Sequence, residues 1–461
     1  MSIGEECGVF GVYNVAEASL LNYFGLYALQ HRGQESTGIV SYQQGDFHVY
    51  KQMGLVSDAY DIEVLQKDKS CFAIGHNRYS TTGSSTHSNI QPLLTKTAKG
   101  TIAVSHNGNF TNTAYLSKKL SDQGAMFQTT VDSELVLHLV SRSKKETLSE
   151  IFVEALSQIE GAFSLIALTE QGMIVARDSY GFRPLVLGKK DKGYVIASET
   201  CAFDLIDAEY VREIEPGEVL YISEDGLKSS YLAKTARAHC VFEHVYFARP
   251  DSYVFSESVH AIRKSFGRQL AKQASVDADL VVSIPDSGNS AALGFAEESG
   301  IAFEFGMTRN HYIGRTFIQP EQQIRDLGVK IKLNPIASVV KGKRLVVVDD
   351  SLVRGTTSKQ RVAAFFAAGA KEVHLRIACP AVKHTCHFGV DLPEAQDLIA
   401  HQKSIDAICS YIQADSLHFL TVDKMLDVIN AYPASDYCTA CFSGNYPFNV
   451  QNKGKFFLEK S

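Results

Sequence analysis

Residues 343–378 read KRLVVVDDSLVRGTTSKQRVAAFFAAGAKEVHLRIA, and the order of their parts decides the architecture of the back half. Val346, Val347 and Val348 form an uninterrupted apolar run, the signature of a strand buried on both faces. The run ends at two acids, Asp349 and Asp350, and Gly355-Thr356-Thr357-Ser358 follows where a helix should start. Val362, Phe365 and Phe366 are expected on one face of that helix, with Gly369 as its stop. An earlier stretch, DADLVVSIPDSGNSAALGFAEESGIAFEF (277–305), repeats the order of strand, loop, helix and strand. Apolar strands alternating with helices predict a parallel, doubly wound sheet. In such sheets ligands bind beyond the carboxyl ends of the strands. A helix start offers unpaired amides and partial positive charge to a phosphate, and adjacent carboxylates can grip two vicinal hydroxyls. One short element therefore offers groups for a sugar diol and for its phosphate. A bare pair of acids on its own would read better as an N-capped helix with exposed acids; the complete strand–loop–helix string is what outweighs that reading.

The chain has 461 residues, too many for one ordinary core, so two α/β domains are expected. An apolar fraction of 45% and a charged fraction of 21% are those of a globular protein. A net charge of -6 argues against nucleic-acid binding driven by bulk charge. No apolar run approaches the roughly 20 residues that span a bilayer. The acidic start MSIGEE is no secretory signal. Nine cysteines favour thiols and metal ligation in a reducing cytoplasm over a disulfide framework.

Residues 7 to about 230 have a different grammar. CGVFGVY, TGIVSY, FHVYKQ, CFAIGHNRY, TIAVSHNG, AFSLIALTE, MIVARD, LVLGKK and YVIASE read as strands. Turn signals such as QQGD, EQGM and KKDKG separate several of them, as antiparallel hairpins require. SLLNYFGLYALQ carries Leu20, Phe24 and Tyr27 at helical spacing, and DSELVLHLVSR is similar. Sheets with helices packed outside them are expected, with no internal repeat and no low-complexity linker between the halves.

The Asp349–Ser358 string resembles the signature of the type I phosphoribosyltransferases, which use phosphoribosyl pyrophosphate with magnesium. The resemblance implies that Asp349 and Asp350 hold the ribose. It implies that Arg354, Gly355, Thr356, Thr357 and Ser358 hold the 5-phosphate. Asp286 and Ser287, in IPDSGNSAA, would belong to the pyrophosphate loop, and Ser287, Asp349 and Asp350 would hold Mg2+. RNHYIGRTFIQPEQQIRDLGVKIKLN (309–334) is polar and rich in cations: a solvated surface segment or a lid. The resemblance favours the lid, with Arg315 and Lys332 as anion contacts.

Cys7 lies in the apolar run CGVFGVY behind two glutamates. A buried core thiol is its plain reading. A cysteine at a free amino terminus, however, carries a thiol and its own base on one residue, because an α-amine titrates near pH 7.7 to 8.0. That reading needs Met1 to Glu6 removed. His76-Asn77-Arg78-Tyr79-Ser80 and His106-Asn107-Gly108-Asn109 each follow an apolar strand, and Asp132 opens a helix; together they offer a guanidinium for a carboxylate, amide donors for an oxyanion and an acid for an ammonium. A zwitterionic amino acid with a side-chain amide needs that set. CGVFGVY, LQHRGQESTG, GHNRYSTTG and SHNGN resemble the glutaminase domain of the N-terminal-nucleophile (Ntn-hydrolase) amidotransferases, an αββα sandwich. With the back-half signature, the chain from Cys7 to about Tyr446 resembles the amidophosphoribosyltransferases. The resemblance implies Cys7 as nucleophile, Arg78 and Asp132 as glutamine-binding residues, and Asn107 with Gly108 as oxyanion hole. It also implies Tyr79 as a residue coupling the two sites. The domain boundaries expected are a leader at 1–6, an amidotransferase domain at 7–235, a phosphoribosyltransferase domain at 236–445 and a tail at 446–461.

Cys438-x-x-Cys441 alone leaves zinc, a redox pair and an iron–sulfur cluster open. One branch of the resembled family carries a 4Fe-4S cluster, implying Cys240, Cys386, Cys438 and Cys441 as ligands; that branch also has the leader. Cys71, Cys201, Cys379 and Cys409 are expected in cores. The activity implied is glutamine-dependent transfer of ammonia to phosphoribosyl pyrophosphate, giving 5-phosphoribosylamine in purine biosynthesis. Purine nucleotides are implied as inhibitors and a homotetramer as the assembly, in the cytoplasm and without nucleic-acid or membrane partners. Three alternatives stand beside it: a nucleobase phosphoribosyltransferase, a non-catalytic sensor of phosphoribosyl pyrophosphate, and a sugar-phosphate amidotransferase sharing only the front half.

Overall fold

The computed structural model describes residues 7–79, 83–310 and 333–450. The leader, Arg315, Lys332 and the end of the tail from 451 lie outside the described residues.

From Gly8 to Tyr231 the chain builds two antiparallel sheets. The first runs β11 (Glu209–Glu213), β9 (Val186–Lys190), β10 (Gly193–Ala197), β1 (Gly8–Tyr13), β4 (Phe72–Arg78), β2 (Ser36–Gln43), β3 (Asp46–Met53). The second runs β13 (Gly226–Tyr231), β12 (Glu218–Ser223), β8 (Gly172–Arg177), β7 (Gly161–Thr169), β6 (Gly100–Phe110), β5 (Leu93–Thr97). Strand alternation sorts neighbouring side chains to opposite faces. Val9, Val40 and Ile74 point between the sheets onto Ile166, Leu168 and Val175. Phe10 points outward onto Leu26 and Leu29, under the helix Ala18–Ala28, which buries Tyr23 and Leu26 and leaves Leu20 and Phe24 half-buried and Tyr27 exposed, so its inward face is turned from the one the spacing marked. On the far side, helices Glu134–Arg142 and Leu148–Leu156 press Leu135 and Phe152 against Val104 and Leu165. The layers are αββα.

The front half is more helical than its sequence pattern predicted. Helix Thr113–Asp122 escaped notice because it buries only Thr113, Leu116 and Leu120, a thin stripe in TAYLSKKLSD. Strands β5 and β11 to β13 were also unread; β11 is an edge strand whose residues are mostly exposed, so it lacks an apolar face.

The back half centres on a four-stranded parallel sheet in the order Leu280–Ser283, Arg344–Asp349, Glu372–Ile377, Ser416–Phe419. Phe303 makes a single parallel bridge to Val281 on the outer side of the first strand. The strand expected in AFEF is reduced to that bridge, and Phe305 is exposed. Chain order therefore reverses between Leu280–Ser283 and Arg344–Asp349, which makes their carboxyl ends the ligand-binding switch point. Helix Thr356–Ala367 buries Ser358, Val362 and Phe365, whereas Phe366 turns outward, contrary to the pattern. No helix among the described residues is long and apolar enough to cross a membrane.

The halves are joined by buried charge. Arg32 donates to Glu199 (Nε, 2.5 Å) and to Glu243 of the back half (Nη2, 2.6 Å), all three side chains being inaccessible to solvent. Glu199 also accepts from the Ser252 hydroxyl and the Arg249 amide. Burial alone would raise its pKa, but Arg32 and His31 hold it well below the usual carboxylate range.

Candidate active sites

Cys7 precedes β1, the strand held between β10 and β4. Its thiol is buried and donates to the Tyr79 carbonyl (3.3 Å). Burial pushes that thiol up to about 12, against the pull of the Tyr79 contact and of Arg78. Arg78 and Asp132 both lie within electrostatic reach of the sulfur. The two sheets are pinned at this point: the His76 ring (Nε2) donates to the His106 carbonyl, 3.0 Å away, tying the end of β4 to β6. Asp132 accepts from the Phe110 amide (3.0 Å) and stands 3.7 Å from His106 Nδ1. Burial keeps His106 below its ordinary pKa while Asp132 pulls the other way. Asn107 is buried, and its Nδ2 has no hydrogen-bond partner among the described residues. A buried, unpaired amide donor costs free energy that a developing oxyanion would recover. The Arg78 guanidinium donates to the carbonyls of Ser84 (2.9 Å) and Gly83 (3.4 Å).

The second site lies at the switch point. Asp349 ends its strand and Asp350 follows, both buried. The Ser287 and Ser351 hydroxyls donate to the two oxygens of Asp350. Asp349 accepts from the Asp350 amide (3.1 Å) and from Arg361 (Nη1, 2.5 Å). Burial pushes Asp349 above the usual carboxylate range, Arg361 pulls it down and Asp350 pushes it up. Asp286 pairs with Arg309 (2.7 Å). Gly355 caps the helix start at φ 75°, and a methyl group there would lie 2.8 Å from Ile399 Cδ1. Thr356, Thr357 and Ser358 form the first turn, and Arg354 faces Asp397 at 3.8 Å. The side chains of Asp349, Asp350 and Ser287 thus converge, and three oxygen-bearing groups of this kind suit Mg2+.

One segment of the back half touches both sites. The His387 carbonyl accepts from Asn109 (3.0 Å) and the Phe388 carbonyl from Arg183 (2.6 Å). Gly389 packs on Gly108. Asp391 accepts a hydrogen bond from Tyr79, the neighbour of Arg78. Asp397 then meets Arg354, and the Ile399 amide donates to the Val353 carbonyl (3.0 Å).

The same segment begins at Cys386. Cys240 pairs in register with Cys438, and Cys441 feels Cys240, Cys386 and Cys438 together. The Phe388 amide donates to Cys386 Sγ (3.3 Å), and burial pushes the Cys438 thiol up to about 12 against the pull of a hydrogen bond from the Ala440 amide. Among the described residues no three His, Cys, Asp or Glu side chains are spaced for a single metal ion. Four thiols brought together from three remote segments are the donor set that an iron–sulfur cluster or a zinc ion takes. Tyr446 and Phe448 close over this nest against Phe388 and Phe182. Of the remaining cysteines, Cys201 and Cys379 are buried, while Cys71 and Cys409 are only half-buried.

Comparison with known proteins follows the same division. Residues 76–204 match a family described as glutamine amidotransferase domain. Over 450 residues, covering 97% of this chain and 92% of the relative, the chain is 48% identical to the chloroplastic amidophosphoribosyltransferase of Vigna aconitifolia. Over 453 residues it is 45% identical to the amidophosphoribosyltransferase of Bacillus subtilis (strain 168), covering 97% and 95%. The chain belongs to the amidophosphoribosyltransferase family. Among solved structures it superimposes on the allosteric regulatory enzyme of purine biosynthesis with a TM-score of 0.93, at 44% identity and 98% and 99% coverage. It superimposes equally on the glutamine phosphoribosylpyrophosphate amidotransferase of B. subtilis complexed with ADP and GMP, with a TM-score of 0.92, 42% identity and 98% and 100% coverage.

Sequence reasoning missed several contributors to this amidophosphoribosyltransferase fold. Arg361 and Arg309 each pair with an acid of the second site; Arg361 stands in no motif that announces it, and Arg309 opens the cation-rich 309–334 stretch without being marked out from its neighbours. Arg32 was visible only as part of a polar turn in LQHRGQESTG.

Proposed function

We propose that the chain works in two halves. Cys7 attacks the side-chain carbonyl of glutamine, forming a thioester and releasing ammonia, and water then hydrolyses the thioester to free glutamate and return the thiol. Ammonia then attacks the anomeric carbon of phosphoribosyl pyrophosphate and displaces pyrophosphate. The products are 5-phosphoribosylamine, glutamate and pyrophosphate, and the reaction begins purine biosynthesis. The observation that carries the first half is the meeting of Cys7, Arg78 and Asp132 around one buried thiol. Arg78 would take the α-carboxylate, Asp132 the α-ammonium, and Asn107 with Gly108 the oxyanion. A thiol pushed up to about 12 is almost fully protonated at neutral pH and needs a base beside it. The α-amine freed by cutting before Cys7 supplies that base, which supports leader removal.

In the second half Asp349 and Asp350 grip the ribose, Arg354 to Ser358 the 5-phosphate, and Asp286 and Ser287 the pyrophosphate, with Arg315 and Lys332 as further anion contacts. Ser287, Asp349 and Asp350 would hold Mg2+, which supplies charge neutralisation for the departing pyrophosphate. Cys240, Cys386, Cys438 and Cys441 would hold a 4Fe-4S cluster, whose chemistry here is a rigid cross-link. Purine nucleotides would act as inhibitors, and the B. subtilis enzyme complexed with ADP and GMP supports the binding of such nucleotides. A homotetramer in the cytoplasm completes the proposal.

Changing Cys7 to alanine tests the division of labour. Glutamine-dependent synthesis is expected to vanish while synthesis from free ammonia persists. Loss of both would refute it.

A further inference from the structure

Asp349 is held in a way that Asp350 is not. Both oxygens of Asp350 accept from serine hydroxyls, Ser287 and Ser351, which rotate freely and carry no charge. Asp349 Oδ1 accepts from a backbone amide and Oδ2 from the Arg361 guanidinium at 2.5 Å. The Asp349 side chain is 3% exposed and that of Arg361 23%, so the pair sits largely out of water. Arg361 stands on helix Thr356–Ala367, three residues after Ser358 and four before Phe365, both buried. That spacing puts it on the helix face turned to the sheet. Its Nε is buried without a partner among the described residues. A cation in an inward-facing stripe is unusual, and its one acid partner among the described residues is the acid that ends the Arg344–Asp349 strand.

We propose that Arg361 is a positioning residue for the second half-reaction: it fixes the Asp349 carboxylate so that its free lone pairs face the ribose diol, leaving Asp350 as the adjustable partner. The proposal rests on the reading that Asp349 binds the ribose. Arg361 itself touches neither substrate nor metal in this account. Without it, Asp349 can rotate toward Asp350, and the acceptor geometry for two vicinal hydroxyls is lost. A charge-assisted hydrogen bond of this kind is lost at a cost of about tenfold or more in binding.

The test is steady-state kinetics of the full-length protein with phosphoribosyl pyrophosphate as the varied substrate. Arg361→Met is expected to raise its KM about tenfold or more, while kcat at saturation falls by less than about threefold. Arg361→Lys keeps the charge but not the planar fork and should lie between. In an Asp349→Asn background, Arg361→Met should add almost nothing, because the partner it positions is gone. Fully additive effects, or an unchanged KM in Arg361→Met, would overturn the proposal. If Asp349→Asn alone leaves that KM unchanged, the ribose-site reading has failed instead. Should Arg361→Met not fold, Arg361→Lys and its combination with Asp349→Asn still decide the question.

Discussion

Gly389, from the back half, lies so close to Gly108 of β6 that a methyl group built on it would be 3.0 Å from the Gly108 Cα. Gly389 has φ 103°, where only glycine is comfortable. Gly389→Ala is therefore expected to push the Asn107–Gly108 stretch out of place. Glutamine-dependent turnover should fall about tenfold or more, with ammonia-dependent synthesis much less affected. Parallel assays with the two nitrogen donors check this.

The unpaired amide of Asn107 gives a sharper expectation. Asn107→Ala should lower kcat for glutamine about 10²- to 10³-fold with little change in KM, the pattern of a group acting on the transition state. A rise in KM at constant kcat would place Asn107 in ground-state binding.

Leader removal has a pH signature. In the uncut chain the Cys7 thiol should alkylate appreciably only as pH climbs toward about 12. In mature protein starting at Cys7, iodoacetamide reactivity should instead rise through the α-amine range of about 7.7 to 8.0. Intact mass identifies which form is being measured.

Two buried histidines predict acid sensitivity. Burial, the largest influence, takes both His76 and His244 down to about 3. An unfolded histidine binds its proton near pH 6.5, so between about 6.5 and 3 the unfolded chain binds more protons than the folded one. Their contribution to stability is present above about pH 6.5 and lost as pH falls toward 3. Urea midpoints should decline across that window. His244→Phe should flatten the decline, because both ring nitrogens of His244 lack partners among the described residues and the ring packs on Phe255 and Tyr437.

Removing Arg32 should unfold the interface. Arg32→Met removes the cation that Glu199 and Glu243 share and leaves them with His31 (2.7 Å) and Arg183 (3.5 Å), so the loss in chemical denaturation should fall at the lower end of about 3 to 5 kcal/mol.

Much of the site was legible because its parts are local. Asp349 to Ser358 lie on one strand–loop–helix element, where the order of residues carries the geometry. His106 to Asn109 close an apolar run in the same way. Illegible were the pairings made between remote segments: Arg361 with Asp349, Arg32 with Glu243, Gly389 with Gly108. Each depends on how two elements are packed, which no short pattern records. Phe366 was misread because helical spacing marks a stripe but not its edge.

The route from Cys386 through Asp391 to Ile399 fits Asn109, Gly108 and Tyr79 on one side and Arg354 and Val353 on the other. The two lobes are accordingly not interchangeable parts. A chimera taking its front from one relative and its back from another would need this stretch matched to the front lobe it meets, so the heritable module is the seam as much as either lobe.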